Sequence, residues 1–205
     1  MTQVDKKAYH LSTYSTADRW VSYYHQLRLA TACAPRNILE IGVGDKVFGS
    51  YIKENTNIAY VGADYDATVS PDVIADILKL PFKDEEFDVV CVFEVLEHLP
   101  FGQFEKALAE LSRVSVKHVL ISLPHFGPPV KLSFKIPFLP EVKLAWKLPW
   151  PKKHVFNGQH YWEIGKKGYS IDMLRSVFRK HFVLKQDFVP FENQYHHFFV
   201  LEKKP

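Results

Sequence analysis

Cysteine, methionine and glycine are all scarce in this chain of 205 residues, at two, two and nine. The two cysteines, Cys33 and Cys91, stand too far apart for a disulfide framework or a zinc-ligand spacing. Cys91 falls inside an apolar run and is expected to be a reduced core residue. Nothing approaches about 18 uninterrupted apolar residues, which predicts no membrane span. Residues 1–7 lack the apolar stretch of a secretory signal. The expected location is therefore the cytoplasm. An excess of one charge is also missing. Lysine and arginine number 26 against 23 acids, and a net +3 is too small to point to nucleic acid by itself. What remains is 47% hydrophobic and 24% charged, enough for a large core in one domain over 1–205 with a sizeable insertion. No internal repeat is visible.

Two of the few glycines fall one residue apart, in Ile38-Leu39-Glu40-Ile41-Gly42-Val43-Gly44-Asp45. This reads as a buried strand that turns sharply on glycine and starts a helix. Glycine there tolerates positive φ and keeps no Cβ between backbone and ligand. The helix N-terminus carries partial positive charge, and the carboxyl ends of strands are where open α/β sheets bind ligands. Alone, the stretch is a weak signal.

Apolar spacing predicts strands at 37–41, 58–63, 73–75, 87–93 and 118–123. Helices are expected at about 15–33, 47–55, 102–114 and 170–180. The first helix has Trp20, Tyr23, Tyr24, Leu27 and Ala30 at helical spacing, expected to pack on the sheet or, alternatively, to cover a ligand. Two final runs, 182–188 and 197–201, read as an antiparallel hairpin closing the sheet edge. The fold class is α/β, with a mostly parallel sheet covered on both faces.

Residues 124–159 break this rhythm. They hold seven of the 13 prolines, and 131–153 carries six lysines against one acid, Glu141. Leu132, Phe134, Ile136, Phe138, Leu139, Trp146 and Trp150 lie between the lysines. That is too apolar for a disordered linker and too rich in proline for a long helix.

Acids stand at successive strand ends after the glycine turn. Asp64 lies 24 residues past Glu40, the position from which an acid commonly binds ribose hydroxyls. Tyr65 can lie against an adenine face, and Asp76 with Ile77 can read its edge. Glu94-Val95-Leu96-Glu97-His98 closes the fourth strand. Each piece has a plain structural alternative, such as a helix cap or a turn. Their joint occurrence in order is much harder to explain that way.

The runs 38–44, 61–64, 75–90 and 93–99 resemble the successive motifs of class I S-adenosylmethionine-dependent methyltransferases. The likeness is greatest to the small-molecule branch that includes quinone-pathway methylases. It implies a doubly wound Rossmann-like sheet of seven strands with the last antiparallel. It also implies S-adenosylmethionine as cofactor. By position, Glu40, Gly42, Val43 and Gly44 would meet the methionine end, Asp64 the ribose, and Tyr65, Asp76 and Ile77 the adenine. Glu94 and Val95 would line the wall near the sulfonium. Asp45-Lys46 replaces a frequent third glycine, so a wider turn is expected there. The chain also lacks glycine or alanine at Val47, and Glu40 would be a poor neighbour for a pyrophosphate, which weighs against a nicotinamide enzyme.

Candidate general bases for an oxygen or nitrogen acceptor are His98, His125 and His160. His118, His181, His196 and His197 are expected to be structural. His196 and His197 point to opposite faces of a strand, and no metal site is expected. Without an Asn-Pro-Pro-Tyr or Asp-Pro-Pro-Tyr run after the fourth strand, the reading is against DNA. The expected acceptor is a small molecule, a glycan or a lipid-linked compound methylated at oxygen, with RNA or protein methylation or a non-catalytic module as alternatives. The insertion would serve as a lid over the acceptor, and its lysine and tryptophan content suits peripheral membrane contact through 131–153.

Overall fold

A computed structural model describes residues 14–150 and 152–204 of the chain. The first of its helices, α1 (Ala17–Ala32), is capped by Thr16, whose hydroxyl accepts from Arg19 N at 3.4 Å. β1 (Asn37–Ile41), α2 (Val47–Asn55), β2 (Ala59–Asp64) and β3 (Val73–Ile74) follow. Then come β4 (Phe87–Phe93), α3 (Phe104–Val114) and β5 (Ser115–Pro124). The insertion supplies β6 (Pro129–Phe134) and β7 (Val142–Lys147), and the chain closes with α4 (Ile171–His181), β8 (Phe182–Phe188) and β9 (His196–Lys203).

Seven strands form one sheet in the order β3-β2-β1-β4-β5-β9-β8. The pairs from β3 to β5 are parallel, and β9 runs antiparallel to both β5 and β8. The expected doubly wound sheet with an antiparallel last strand is present. Order reverses between β1 and β4, which opens a crevice at their carboxyl ends. Buried side chains cover both faces. Leu39, Val90, Leu108, Leu111 and Phe178 belong to the core under α3 and α4, and Leu29, Ile38, Ile52 and Cys91 to the core under α1 and α2.

Three details differ from the sequence reading. The buried face of α1 is Ser22, Tyr23, Gln26, Leu29 and Ala30, while Trp20 and Tyr24 are exposed. The aromatic spacing overlapped the buried stripe, but small and polar residues sit closest to the sheet. The helix expected at 102–114 begins as a 3-10 turn and is α-helical only from Phe104. The insertion is a hairpin, β6 paired with β7, which makes a separate two-stranded sheet. An irregular start is expected at 1–14, of which all but Tyr14 lies outside the described residues. Among those described, no helix is long and apolar enough to cross a membrane.

Candidate active site

β1 ends in a turn whose geometry admits only glycine at its first position. Gly42 has φ +85°, and a Cβ on it would fall 2.3 Å from Val95 Cγ2. Its N–H donates to Ala63 O at 2.8 Å. Val95, just past β4, therefore abuts the turn. One carboxylate fastens the turn to β2: Asp64 Oδ2 accepts from Val43 N and Oδ1 from Asp66 N, each at 2.9 Å. Burial nevertheless lifts the Asp64 pKa, because desolvation outweighs those donors.

Side chains hold the turn where a third glycine is absent. Lys46 takes the left-handed conformation at φ +66°. Its Nζ donates to Ser70 O at 2.7 Å. Asp45 accepts from Val47 N at 3.3 Å and from the Tyr23 hydroxyl.

Glu40 lies beneath the turn and is buried, its carboxylate accepting from the Tyr60 hydroxyl. A Cβ on Gly49 would collide with that hydroxyl, so α2 sits this low only because Gly49 leaves room. Burial raises the Glu40 pKa to about 8. Tyr65 is 65% exposed beyond β2. Asp76 is exposed and accepts from Leu78 N at 2.9 Å, while Ile77 joins the core. The carboxyl ends of β1, β2 and β3 thus present Gly42–Gly44, Asp64 and Tyr65, and Asp76 side by side.

The chemistry-bearing cluster lies after β4. Glu94 has φ +56°, a strained conformation for a residue with a side chain. Its Oε2 lies 3.4 Å from His196 Nε2, and its Oε1 is buried without a partner. Glu97 is fully buried, and neither carboxylate oxygen is bonded to another residue. Burial raises both pKa values, that of Glu94 to about 7, and the Glu94 charge pushes Glu97 further up.

The segment 159–162 is stitched to this turn. Tyr161 N donates to Glu97 O at 2.9 Å, Trp162 Nε1 to Leu99 O at 3.1 Å, and His98 Nδ1 faces Gln159 O at 3.1 Å. Trp162 is fully buried, edge-on to Phe101 and Phe104 with centroids 5.1 Å apart. These contacts set the His160 ring 5.1 Å from that of His98. His160 Nδ1 donates to Glu163 Oε1 at 3.0 Å, which also accepts from the Tyr195 hydroxyl at 3.3 Å. Burial, then His160, lowers the His98 pKa to about 4.

His98 and His160 are thus brought together, and His125 is not with them. His125 Nδ1 lies 2.9 Å from His197 Nδ1, and His197 Nε2 is 2.8 Å from Asp187 Oδ2, which pairs with Arg175. His196 faces the other way, onto Ser22 Oγ at 2.8 Å. Glu97 and Glu163 were not singled out by sequence as site residues, although each stands beside a histidine that was. Two cavities of about 680 and 830 Å³ flank the insertion hairpin, sharing His125, Phe126, Lys147 and Trp150. The first includes Tyr195 in its wall, which links it to Glu163.

The residues fit a cationic cofactor. The buried, unpartnered Glu94 oxygen near the Val95–Gly42 contact suits a sulfonium or ammonium group. Asp45 and Asp64 around the turn would repel a pyrophosphate. Residues 39–121 match the family model described as "Methyltransferase domain". A human protein named "Probable tRNA methyltransferase 9B" is 33% identical over 88 residues, which is 38% of this chain and 19% of that protein. A "Probable S-adenosylmethionine-dependent methyltransferase" of Mycolicibacterium smegmatis is 34% identical over 82 residues, 35% of this chain and 32% of that one. The matches thus span about a fifth and a third of these relatives. The Burkholderia thailandensis 1,6-didemethyltoxoflavin-N1-methyltransferase, solved with S-adenosylhomocysteine, superposes with a TM-score of 0.60 at 13% identity over 98% of this chain and 87% of its own. The sheet order and glycine turn are those of the methyltransferase fold, and together with the match over 39–121 they support a class I S-adenosylmethionine-dependent methyltransferase.

Proposed function

We propose that the chain transfers a methyl group from S-adenosylmethionine to a hydroxyl of a small-molecule, glycan or lipid-linked acceptor. One observation carries the reading: an imidazole backed by a buried carboxylate, His160–Glu163, stands beside the turn that abuts Gly42. Gly42, Val43 and Gly44 would hold the methionine end of the cofactor, Asp64 the ribose, Tyr65 and Asp76 the adenine, and Glu94 the wall at the sulfonium. When bound, the cofactor would supply an electrophilic methyl on its sulfonium, the C–S electron pair leaving with sulfur as the acceptor oxygen takes the methyl. His160 takes the hydroxyl proton, and Glu163 fixes its tautomer and steadies the imidazolium. Most of the rate would come from holding acceptor oxygen and methyl in line.

The hairpin supports an amphiphilic acceptor. Phe134, Ile136, Phe138, Leu144, Trp146 and Trp150 are all exposed on or beside it, among lysines. Such a surface suits peripheral contact with an anionic lipid layer. Incubating the protein with methyl-labelled cofactor and separated extract fractions tests the reading. Label in a glycolipid or hydroxylated small-molecule fraction supports it. Label confined to RNA or protein would overturn the acceptor class.

A further inference from the structure

We propose that Glu97, His98 and His160 form a binding site for one divalent transition-metal ion, with Glu163 as the residue that orients His160. Each of the three offers a ligand atom, and these atoms lie within 4.8 Å of one another. Bonds of about 2.1 Å would place neighbouring ligand atoms some 3.0–3.4 Å apart, so closure needs side-chain adjustments of roughly 1 Å. The independent pointer to a ligand is Glu97. A fully buried carboxylate with both oxygens unmatched by another residue is costly unless a cation meets it. Glu94 and Glu163 add two more acids to the same wall.

The surroundings provide the outer support that metal-bound histidines usually have. The His160 Nδ1–H is held by Glu163 at 3.0 Å, which leaves the Nε2 lone pair for a metal. The Gln159 carbonyl faces His98 Nδ1 at 3.1 Å and fixes the orientation of that ring. Two imidazoles and one carboxylate suit Mn²⁺, Fe²⁺, Co²⁺, Ni²⁺ or Zn²⁺ better than Ca²⁺ and leave coordination positions open. The site follows Val95, which touches Gly42, by two residues. Resting on the hydroxyl-methylation reading, its role would be to bind and acidify the acceptor oxygen, whose proton would pass to solvent, with His160 serving in the loaded protein as ligand in place of base.

The test is titration of chelator-treated full chain with CoCl₂, MnCl₂ or ZnCl₂, followed by calorimetry and by Co²⁺ visible absorption. One equivalent should bind the wild type. Glu97→Gln and His160→Ala should each weaken binding at least 100-fold, Glu163→Gln by about 10–100-fold, and His118→Ala not at all. Retained S-adenosylhomocysteine binding and near-UV dichroism identify variants that still fold, and either Glu97→Gln or His160→Ala suffices if the other does not. Failure of all three ions to bind the wild type, or unchanged binding in the folded variants, would overturn the site. Metal binding that responds as expected supports the site even if no hydroxyl acceptor is found, and that loss would fall on the acceptor reading alone.

Discussion

Glu40 is the residue where burial and charge conflict most openly. Its carboxyl titrates near 8 because burial outweighs the Tyr60 hydrogen bond. A folded pKa above the ordinary 4.5 means that the native state holds the proton longer than the unfolded one. Its contribution to stability is therefore complete below pH 4.5 and lost as pH rises through 8. The interval corresponds to at most about 5 kcal/mol. Glu40→Gln should remove this slope, so its melting temperature relative to wild type rises between pH 5 and 8.5; a constant offset across that range would count against it. At Gly42 both φ and the Val95 contact oppose a side chain. Gly42→Ala should destabilise the fold by about 1–3 kcal/mol and weaken cofactor binding, measured by chemical denaturation and calorimetry.

At the scale of elements, the strand ends were legible because period, length and glycine placement all agreed. The acids that follow β2, β3 and β4 stand in sequence order, so their approach needed only the sheet order. The face of α1 was not legible: Ser22, bonded to Asn193 and His196, and Gln26 are both buried, which apolar spacing does not encode. Nor was the meeting of His98 with His160, since 62 residues separate them. It depends on Trp162, whose burial against Phe101 and Phe104 docks the 159–162 segment. Trp162→Ala should cost about 3–5 kcal/mol in denaturant unfolding and lower any turnover that uses His160. The insertion's composition showed its apolar and cationic character, but not the hairpin pairing. If the hairpin contacts lipid, Phe134→Ser with Phe138→Ser should reduce cosedimentation with anionic vesicles about 10-fold or more per phenylalanine, and equal pelleting with and without anionic lipid would remove that reading.

Over the whole molecule, buried neutral histidines are expected to set the acid limit of stability. Burial first, then Lys147, lowers the His125 pKa to about 3. Burial lowers that of His197 to about 4 even though Asp187 lies 2.8 Å away. Both are below the ordinary 6.5, so the unfolded state binds protons first as pH falls. The stability they provide is present above pH 6.5 and is lost progressively down to pH 3–4. His125→Gln with His197→Gln should flatten the acid limb of the stability profile followed by circular dichroism; an unchanged limb would assign acid unfolding to other groups. The resemblance read from residues 38–99 implies a cofactor site at the carboxyl ends of β1, β2 and β4. Calorimetric titration of S-adenosylhomocysteine into wild type and Asp64→Ala tests that site most directly. The expected result is saturable 1:1 binding by wild type and a loss of about 10–100-fold in Asp64→Ala, with His160→Ala near wild type. Absence of binding by wild type, or equal affinity in Asp64→Ala, would contradict it.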